Sequence, residues 1–158
     1  MREPRSKIKT IEELREILQA LKDKGKRVVF TNGCFDILHI GHIRYLMGAK
    51  DYGDVLVVAI NSDSSVQKIK GDLRPLVTQQ ERAEVLASLE AVDYVTIFEE
   101  PDPLCTILTL RPDVLVKGGD YKMEEVIGRE VVEAGGGEVR IIPEIKGAST
   151  TGLIDLII

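Results

Sequence analysis

Hydrophobic and polar residues fall along this chain in blocks whose period switches between helical and strand-like. In the first block Ile11, Leu14, Ile17, Leu18 and Leu21 form one stripe, the spacing of an amphipathic helix. Thr10 and Glu13 make a capping box ahead of it, and Gly25 is placed to end it. Five short runs rich in Val and Ile follow, near 27–32, 54–60, 93–98, 113–117 and 138–142. Their apolar continuity predicts strands covered on both faces. Helical spacing predicts helices near 41–51, 62–69, 79–89, 103–110, 124–134 and 150–157. Thr78 with Glu81 is a second capping box, and Asp102-Pro103 reads as an N-cap followed by Pro at the first helical position.

Alternating strands and helices predict an α/β fold: a Rossmann-like, doubly wound, five-stranded parallel sheet with helices on both faces and an extra N-terminal helix. The 158 residues suit one globular domain, divided into a helical extension over 1–26 and the main unit over 27–158. Ligands of such sheets sit beyond the carboxyl ends of the strands, at the topological switch point. The residues that follow strands are therefore the candidates for function. They are His39 and His42 after the first strand, Asn61 and Asp63 after the second, Lys117 to Asp120 after the fourth, and Ser149 to Thr151 after the fifth.

Charge and composition narrow the partners. A net charge of -5 and a pI near 5.2 leave no basic stripe for nucleic acid or an anionic membrane. No apolar run is long enough to cross a bilayer, and the opening MREPRSKIKT lacks the apolar core of a signal peptide, so a cytoplasmic protein is expected. Cys34 and Cys105 read as reduced thiols rather than a disulfide framework.

The sharpest local feature is the run TNGCFDILHIGH at 31–42, which holds both histidines of the chain. It lies where a strand passes into a helix, and a helix N-terminus offers unpaired N–H groups and partial positive charge. Two imidazoles three residues apart share one face of the first turn, which makes a site suited to phosphate oxygens. A zinc pair is the competing reading. It lacks further ligands at suitable spacing, with no CxxC and no HExxH, so no protein-held metal is expected.

The run GCFDILHIGH resembles the GxFDxxHxGH signature of the nucleotidyltransferase (cytidylyltransferase-like) superfamily, in which this segment holds the phosphates of a nucleoside triphosphate. VAINSD at 58–63, KGDLRP at 70–75, QER at 80–82, LVKGGDY at 115–121 and STT at 149–151 together resemble the adenylyltransferase domain of the bifunctional ADP-heptose synthases. The resemblance spans about 27–155. It implies transfer of AMP from ATP to heptose 1-phosphate, giving ADP-heptose and pyrophosphate for lipopolysaccharide core precursors, with Mg²⁺ carried mainly by the ATP phosphates. The two-domain relatives also carry a sugar kinase, for which this chain has no room, so the kinase step is expected from a separate polypeptide.

The resemblance also implies roles. His39, His42 and Lys70 would be catalytic, Lys70 from a mobile loop. Thr31, Asn32, Gly33, Cys34, Phe35, Lys117, Gly118, Gly119, Asp120, Ser149, Thr150 and Thr151 would bind nucleotide. Asn61, Asp63, Arg74 and Arg82 would face the sugar phosphate. Each has a plainer alternative: a solvated loop lysine at 70, simple N-capping at 149–151, a surface ion pair at Arg82, and for Asp36 a role in fixing the turn rather than binding metal. Glycerol-3-phosphate cytidylyltransferases share the histidine motif and STT, but carry an arginine just before the serine segment. Here that stretch is EIKGAST, with Lys146 its one cation. Class I aminoacyl-tRNA synthetases share HIGH, yet no KMSKS-like segment follows. A nucleotide sensor without turnover is the alternative of another class. The N-terminal helix is a candidate surface for a homodimer.

Overall fold

The computed structural model describes residues 1–119, 121–143 and 149–157. Its elements run α1 (Ile11–Asp23), β1 (Val28–Gly33), α2 (Ile40–Lys50), β2 (Val55–Asn61), α3 (Asp63–Lys70), α4 (Gln79–Ala87), β3 (Tyr94–Phe98), α5 (Leu104–Leu110), β4 (Val114–Gly118), α6 (Arg129–Ala134), β5 (Glu138–Ile142) and α7 (Thr150–Ile157). The five strands form one parallel sheet in the order β3-β2-β1-β4-β5. This is the doubly wound arrangement expected, with the strand order reversing beside β1.

Period-2 alternation divides the core between the two faces of the sheet. Val28, Phe30, Val55, Val57 and Ala59 point to the face that also buries Leu14, Leu18 and Ile107. Val29, Leu56, Val58 and Ile60 point to the other, against Leu46, Ala83 and Leu86. The stripe of α1 thus packs on the sheet of the same chain, leaving only its outer face for a partner. The segment before α1 closes the β3 edge: Ile8 bridges to Val95, and Lys7 Nζ donates to the Val92 carbonyl at 2.8 Å.

At the amino ends of the strands, away from the site, Asp54, Asp93 and Asp113 accept bonds from the main-chain N–H groups of Arg27, Leu56 and Val28. These bonds satisfy strand-end donors that would otherwise be left unpaired in a buried sheet.

Three elements depart from the sequence pattern. The helix expected over 124–134 is split into a 3-10 turn, Met123–Glu125, and α6, because Gly128 between them has φ 91°. A Cβ there would meet Ile107 Cδ1 at 2.6 Å, so close packing on α5 adds to the conformational demand. The cap of α5 is displaced by one residue: Asp102 Oδ1 accepts from Leu104 N–H, while Pro103 precedes the first helical residue. At α4 only half of the capping box forms, Thr78 Oγ1 accepting from Glu81 N–H while its hydroxyl donates to the Glu81 carboxylate.

Candidate active site

The carboxyl ends of β1, β2, β4 and β5 open into one cavity of about 810 Å³. Its centre is the β1–α2 turn. His39 is the N-cap of α2 and His42 lies in its first turn, with ring centroids 3.9 Å apart. The His39 Nδ1 accepts the N–H of Gly41 (3.1 Å), and the His42 Nδ1 accepts the N–H of His39 (3.3 Å). A ring nitrogen that accepts a backbone N–H carries no proton, so in each neutral imidazole the proton sits on Nε2. Burial, then the neighbouring His39, then the charge of Lys70 bring the pKa of His42 down to about 4. His42 is therefore a neutral donor at physiological pH. Phe35 takes the left-handed conformation, φ 47°, uncommon for an aromatic residue. Its ring lies against Gly33, where a Cβ would meet Phe35 Cε2 at 2.9 Å, and 5.4 Å from the His42 ring.

On the β4 side, Lys117 Nζ donates to Asn32 Oδ1 at 2.6 Å, and burial lowers its pKa to about 8. Gly118 lies flat on Tyr45, whose ring a Cβ would approach to 3.0 Å. The Tyr45 hydroxyl is pinned between the Thr31 hydroxyl (2.5 Å) and the Val116 carbonyl (3.1 Å). Gly119 and the ring of Tyr121 continue this wall. Thr150 Oγ1 donates to the Ile37 carbonyl (3.0 Å), and Ser149 Oγ accepts from Gly152 N–H (2.9 Å), so Ser149 serves as an N-cap. Thr151 also borders the cavity.

The β2 side holds Cys34, Asn61, Lys70 and Arg74. Asn61 accepts from the Cys34 thiol and donates to Ser65 Oγ, and burial pushes the Cys34 thiol pKa up, away from the reactive thiolate. Asp36 accepts from Arg74 Nε and from the N–H groups of Leu76 and Val77. Burial acts to raise its pKa, but those two N–H groups and the guanidinium outweigh it and hold the carboxyl below its usual range.

Most of the described residues singled out from the sequence therefore share one cavity, but three do not. Arg82 is buried, with Nε on the Val77 carbonyl, Nη1 on the carbonyls of Cys34 and Asn61, and Nη2 on Asp63 Oδ1. Its donors are spent inside the protein, which corrects the expectation of a substrate-side cation. Asp63 is withdrawn with it, as its partner. Thr31 is fully buried behind Tyr45 and does not reach the cavity. Asp120, and the 144–148 stretch before Ser149, lie outside the described residues.

Conversely, Arg44 and Tyr45 line the cavity without having been singled out. Tyr45 follows His42 by three residues on α2, and that spacing is the signal that puts both on one helix face. Among the described residues no cluster of three His, Cys, Asp or Glu side chains could hold a metal ion. Among the described residues, Asp36 and Asp102 are the carboxylates that border the cavity, and they are engaged by Arg74 and by backbone N–H groups.

The sequence profile of the cytidylyltransferase-like family matches residues 30–151. The bifunctional protein HldE of Geobacter metallireducens is 54% identical over 97% of this chain, and that of a Nitratiruptor species 55% over 94%. This chain spans about a third of those relatives, 31% of each. Among solved structures, the lipopolysaccharide core biosynthesis protein of Thermoplasma volcanium is 32% identical, with a TM-score of 0.63 over 78% of this chain and all of that one. The pantoate-beta-alanine ligase of Francisella tularensis, 19% identical with a TM-score of 0.57 over 91% of this chain and 74% of that one, shares the fold. No described helix is long and apolar enough to cross a membrane. The matched stretch runs from the heart of β1, through both histidines, to the first turn of α7, and this chain accordingly belongs to the cytidylyltransferase-like family of nucleotidyltransferases.

Proposed function

We propose that this chain transfers AMP from ATP to a sugar 1-phosphate, heptose 1-phosphate being the acceptor its similarity to HldE favours, in the cytoplasm and in the service of ADP-heptose synthesis. One observation carries the chemistry: two imidazoles side by side at a helix N-terminus, each with Nδ1 accepting a backbone N–H and Nε2 left to donate, with lysines on both flanks of one cavity. The likeness to the lipopolysaccharide core biosynthesis protein of Thermoplasma volcanium supports the same pathway.

The reaction needs no general base. A phosphate monoester is largely ionised at neutral pH, its second pKa being about 6. Its oxygen attacks the α-phosphorus of ATP in line, the bond to the β-phosphate oxygen breaks, and pyrophosphate leaves. The protein must bring two anions together and stabilise charge building on phosphoryl oxygens. His42 would donate from Nε2 to the α/β bridging region, with His39 beside it on the β-phosphate. Lys117, held by Asn32, would face the nucleotide, along with the flat wall of Gly118 and Gly119 and the hydroxyls of Thr150 and Thr151. Lys70 would reach in from the rim. Mg²⁺, where bound, would neutralise phosphate charge and be held by ATP oxygens and water, since it dehydrates reluctantly. A sugar kinase would supply the acceptor.

Pyrophosphate release, measured with ATP and with CTP against a panel of sugar 1-phosphates and glycerol 3-phosphate, tests this reading. ATP with heptose 1-phosphate should give the highest kcat/KM. Preference for CTP with glycerol 3-phosphate would replace it, and nucleotide binding without any turnover would indicate a sensor.

A further inference from the structure

Two arginines lie behind the β1–α2 turn, and the protein uses them differently. Arg82 has every one of its nitrogens bonded to a protein acceptor. Arg74 donates from Nε alone among the described residues, to Asp36 Oδ2 at 2.9 Å. Its side chain is only 14% exposed, it borders the cavity, and its Nη2 is buried with no hydrogen-bond partner. A guanidinium stays charged and carries five N–H donors in a planar fork. Withdrawing most of it from water with its terminal donors unspent is costly, and native structures seldom leave such a group without a purpose. That is the state of a cation set to receive an anion.

Asp36 creates this state. Its side chain is 1% exposed, and its two oxygens take the Arg74 Nε, the Leu76 N–H (2.9 and 3.0 Å) and the Val77 N–H (2.9 Å). It is fully occupied by one segment, Arg74 to Val77, which it clamps onto the turn bearing the histidines.

We propose that Asp36 is a positioning residue for acceptor recognition: its clamp aims the terminal N–H groups of Arg74 at the phosphate of the sugar 1-phosphate. The proposal rests on the reading of the cavity as an adenylyltransferase site. In the sheet, β2 and β4 flank β1 on opposite sides. Lys117 and Gly118 end β4 and Gly119 follows it, whereas Arg74 follows α3, which leaves β2, and lines the cavity together with Asn61 at the end of β2. The guanidinium therefore sits across the histidine turn from the β4 residues assigned to the nucleotide. A planar fork is suited to two oxygens of one phosphate.

The test uses the full chain as wild type, Asp36→Asn, Arg74→Lys and Arg74→Gln. Three quantities are measured: Kd for α,β-methylene-ATP, Kd for inorganic phosphate with that analogue saturating, and KM for the sugar 1-phosphate. Arg74→Gln should weaken phosphate binding about 30-fold, and Arg74→Lys, which keeps charge but loses the fork, about 10-fold, each with the analogue's Kd within about threefold of wild type. Asp36→Asn should raise the acceptor KM about 10-fold while sparing the analogue in the same way. Equal losses for analogue and phosphate, or unchanged phosphate binding, overturn the proposal. If Asp36→Asn does not fold, Arg74→Lys decides, because it leaves Asp36 its backbone donors. Phosphate binding that depends on Arg74, without adenylylation of any sugar 1-phosphate, would reject the adenylyltransferase reading and keep the clamp as an anion-binding device. Normal acceptor KM in Arg74→Lys would do the reverse.

Discussion

The Lys117 ammonium donates to Asn32 Oδ1 over 2.6 Å, tying the end of β4 to the end of β1 at the lip of the cavity. Burial holds its pKa near 8, against 10.5 in the unfolded chain. Below about pH 8 both states are protonated and the full cost of burying the cation is present. Between about 8 and 10.5 the unfolded chain binds a proton that the folded chain lacks, so this group makes stability rise with pH across that window. A bound triphosphate reverses the preference and favours the ammonium. Lys117→Met should therefore stabilise the protein at pH 7, by about 1 kcal/mol or more, while weakening ATP binding at least about tenfold. Denaturant titration and calorimetry check the two effects. Lower stability with normal ATP affinity would make the link to Asn32 a purely structural one.

The histidine pair gives a second expectation. Both Nδ1 atoms accept backbone N–H groups, so long-range nitrogen–proton NMR should find the Nε2–H tautomer in both rings, with His42 neutral at pH 7. With His42 depressed to about 4 in the free protein, kcat/KM should not fall with its protonation until the pH approaches 5. A fall nearer 6 should track the acceptor's own second ionisation, and should move when an acceptor of different pKa is used. His42→Ala should lower kcat by about 10²- to 10³-fold with the fold intact, the usual effect of removing one donor to a developing oxyanion. A proton on Nδ1 of His42, or near-normal kcat in the variant, would sink this role.

Lys70 lies at the end of α3 before Gly71, whose φ is 94°, and Leu73 beyond is 89% exposed. The same segment is fastened to Asp36 at Arg74, Leu76 and Val77, so any closure must hinge between residues 70 and 74. Hydrogen exchange should show fast amides at Asp72 and Leu73, slowing with ATP, and protected amides at Leu76 and Val77 throughout. Lys70→Ala should then lower kcat more than it raises the Kd for ATP. Exchange at Leu76 as fast as at Leu73 would refute the anchored hinge, and weakened ATP binding at full turnover would make Lys70 a static cradle residue.

What the sequence revealed was whatever depends on near neighbours. The strands, the order of elements and the strand-to-helix position of His39 and His42 all follow from periodicity and from residues a few positions apart. Helix 124–134 was misread because Met123, Ile127 and Val131 keep a four-residue rhythm across Gly128, and only contact with Ile107 on another element shows why that glycine breaks it. Asp36 was legible as a turn-former but not as a clamp, since its partners lie 38 to 41 residues further on. The burial of Arg82 was equally hidden. A cation beside a family motif gives no sign in sequence of whether its fork points outward or is consumed by carbonyls 21 and 48 positions away.

Arg82 consequently supplies a test that separates architecture from recognition. Its side chain is 0% exposed, and it joins α4 to the Cys34 carbonyl in the β1–α2 turn, the Asn61 carbonyl at the end of β2, and Asp63 at the start of α3. Removing it leaves the carbonyls of Val77, Cys34 and Asn61 short of a donor and Asp63 without its counter-charge. Truncating one partner of such a buried network typically costs about 3 to 5 kcal/mol. Arg82→Ala should therefore move the denaturation midpoint strongly downward. Arg82→Lys should recover little, because one ammonium cannot span four acceptors. In whatever fraction remains folded at low temperature, KM for the sugar phosphate should rise no more than KM for ATP, since both sides of the cavity rest on the turn this residue braces. A variant of wild-type stability with a selectively raised acceptor KM would instead place Arg82 at the substrate, against the geometry seen here.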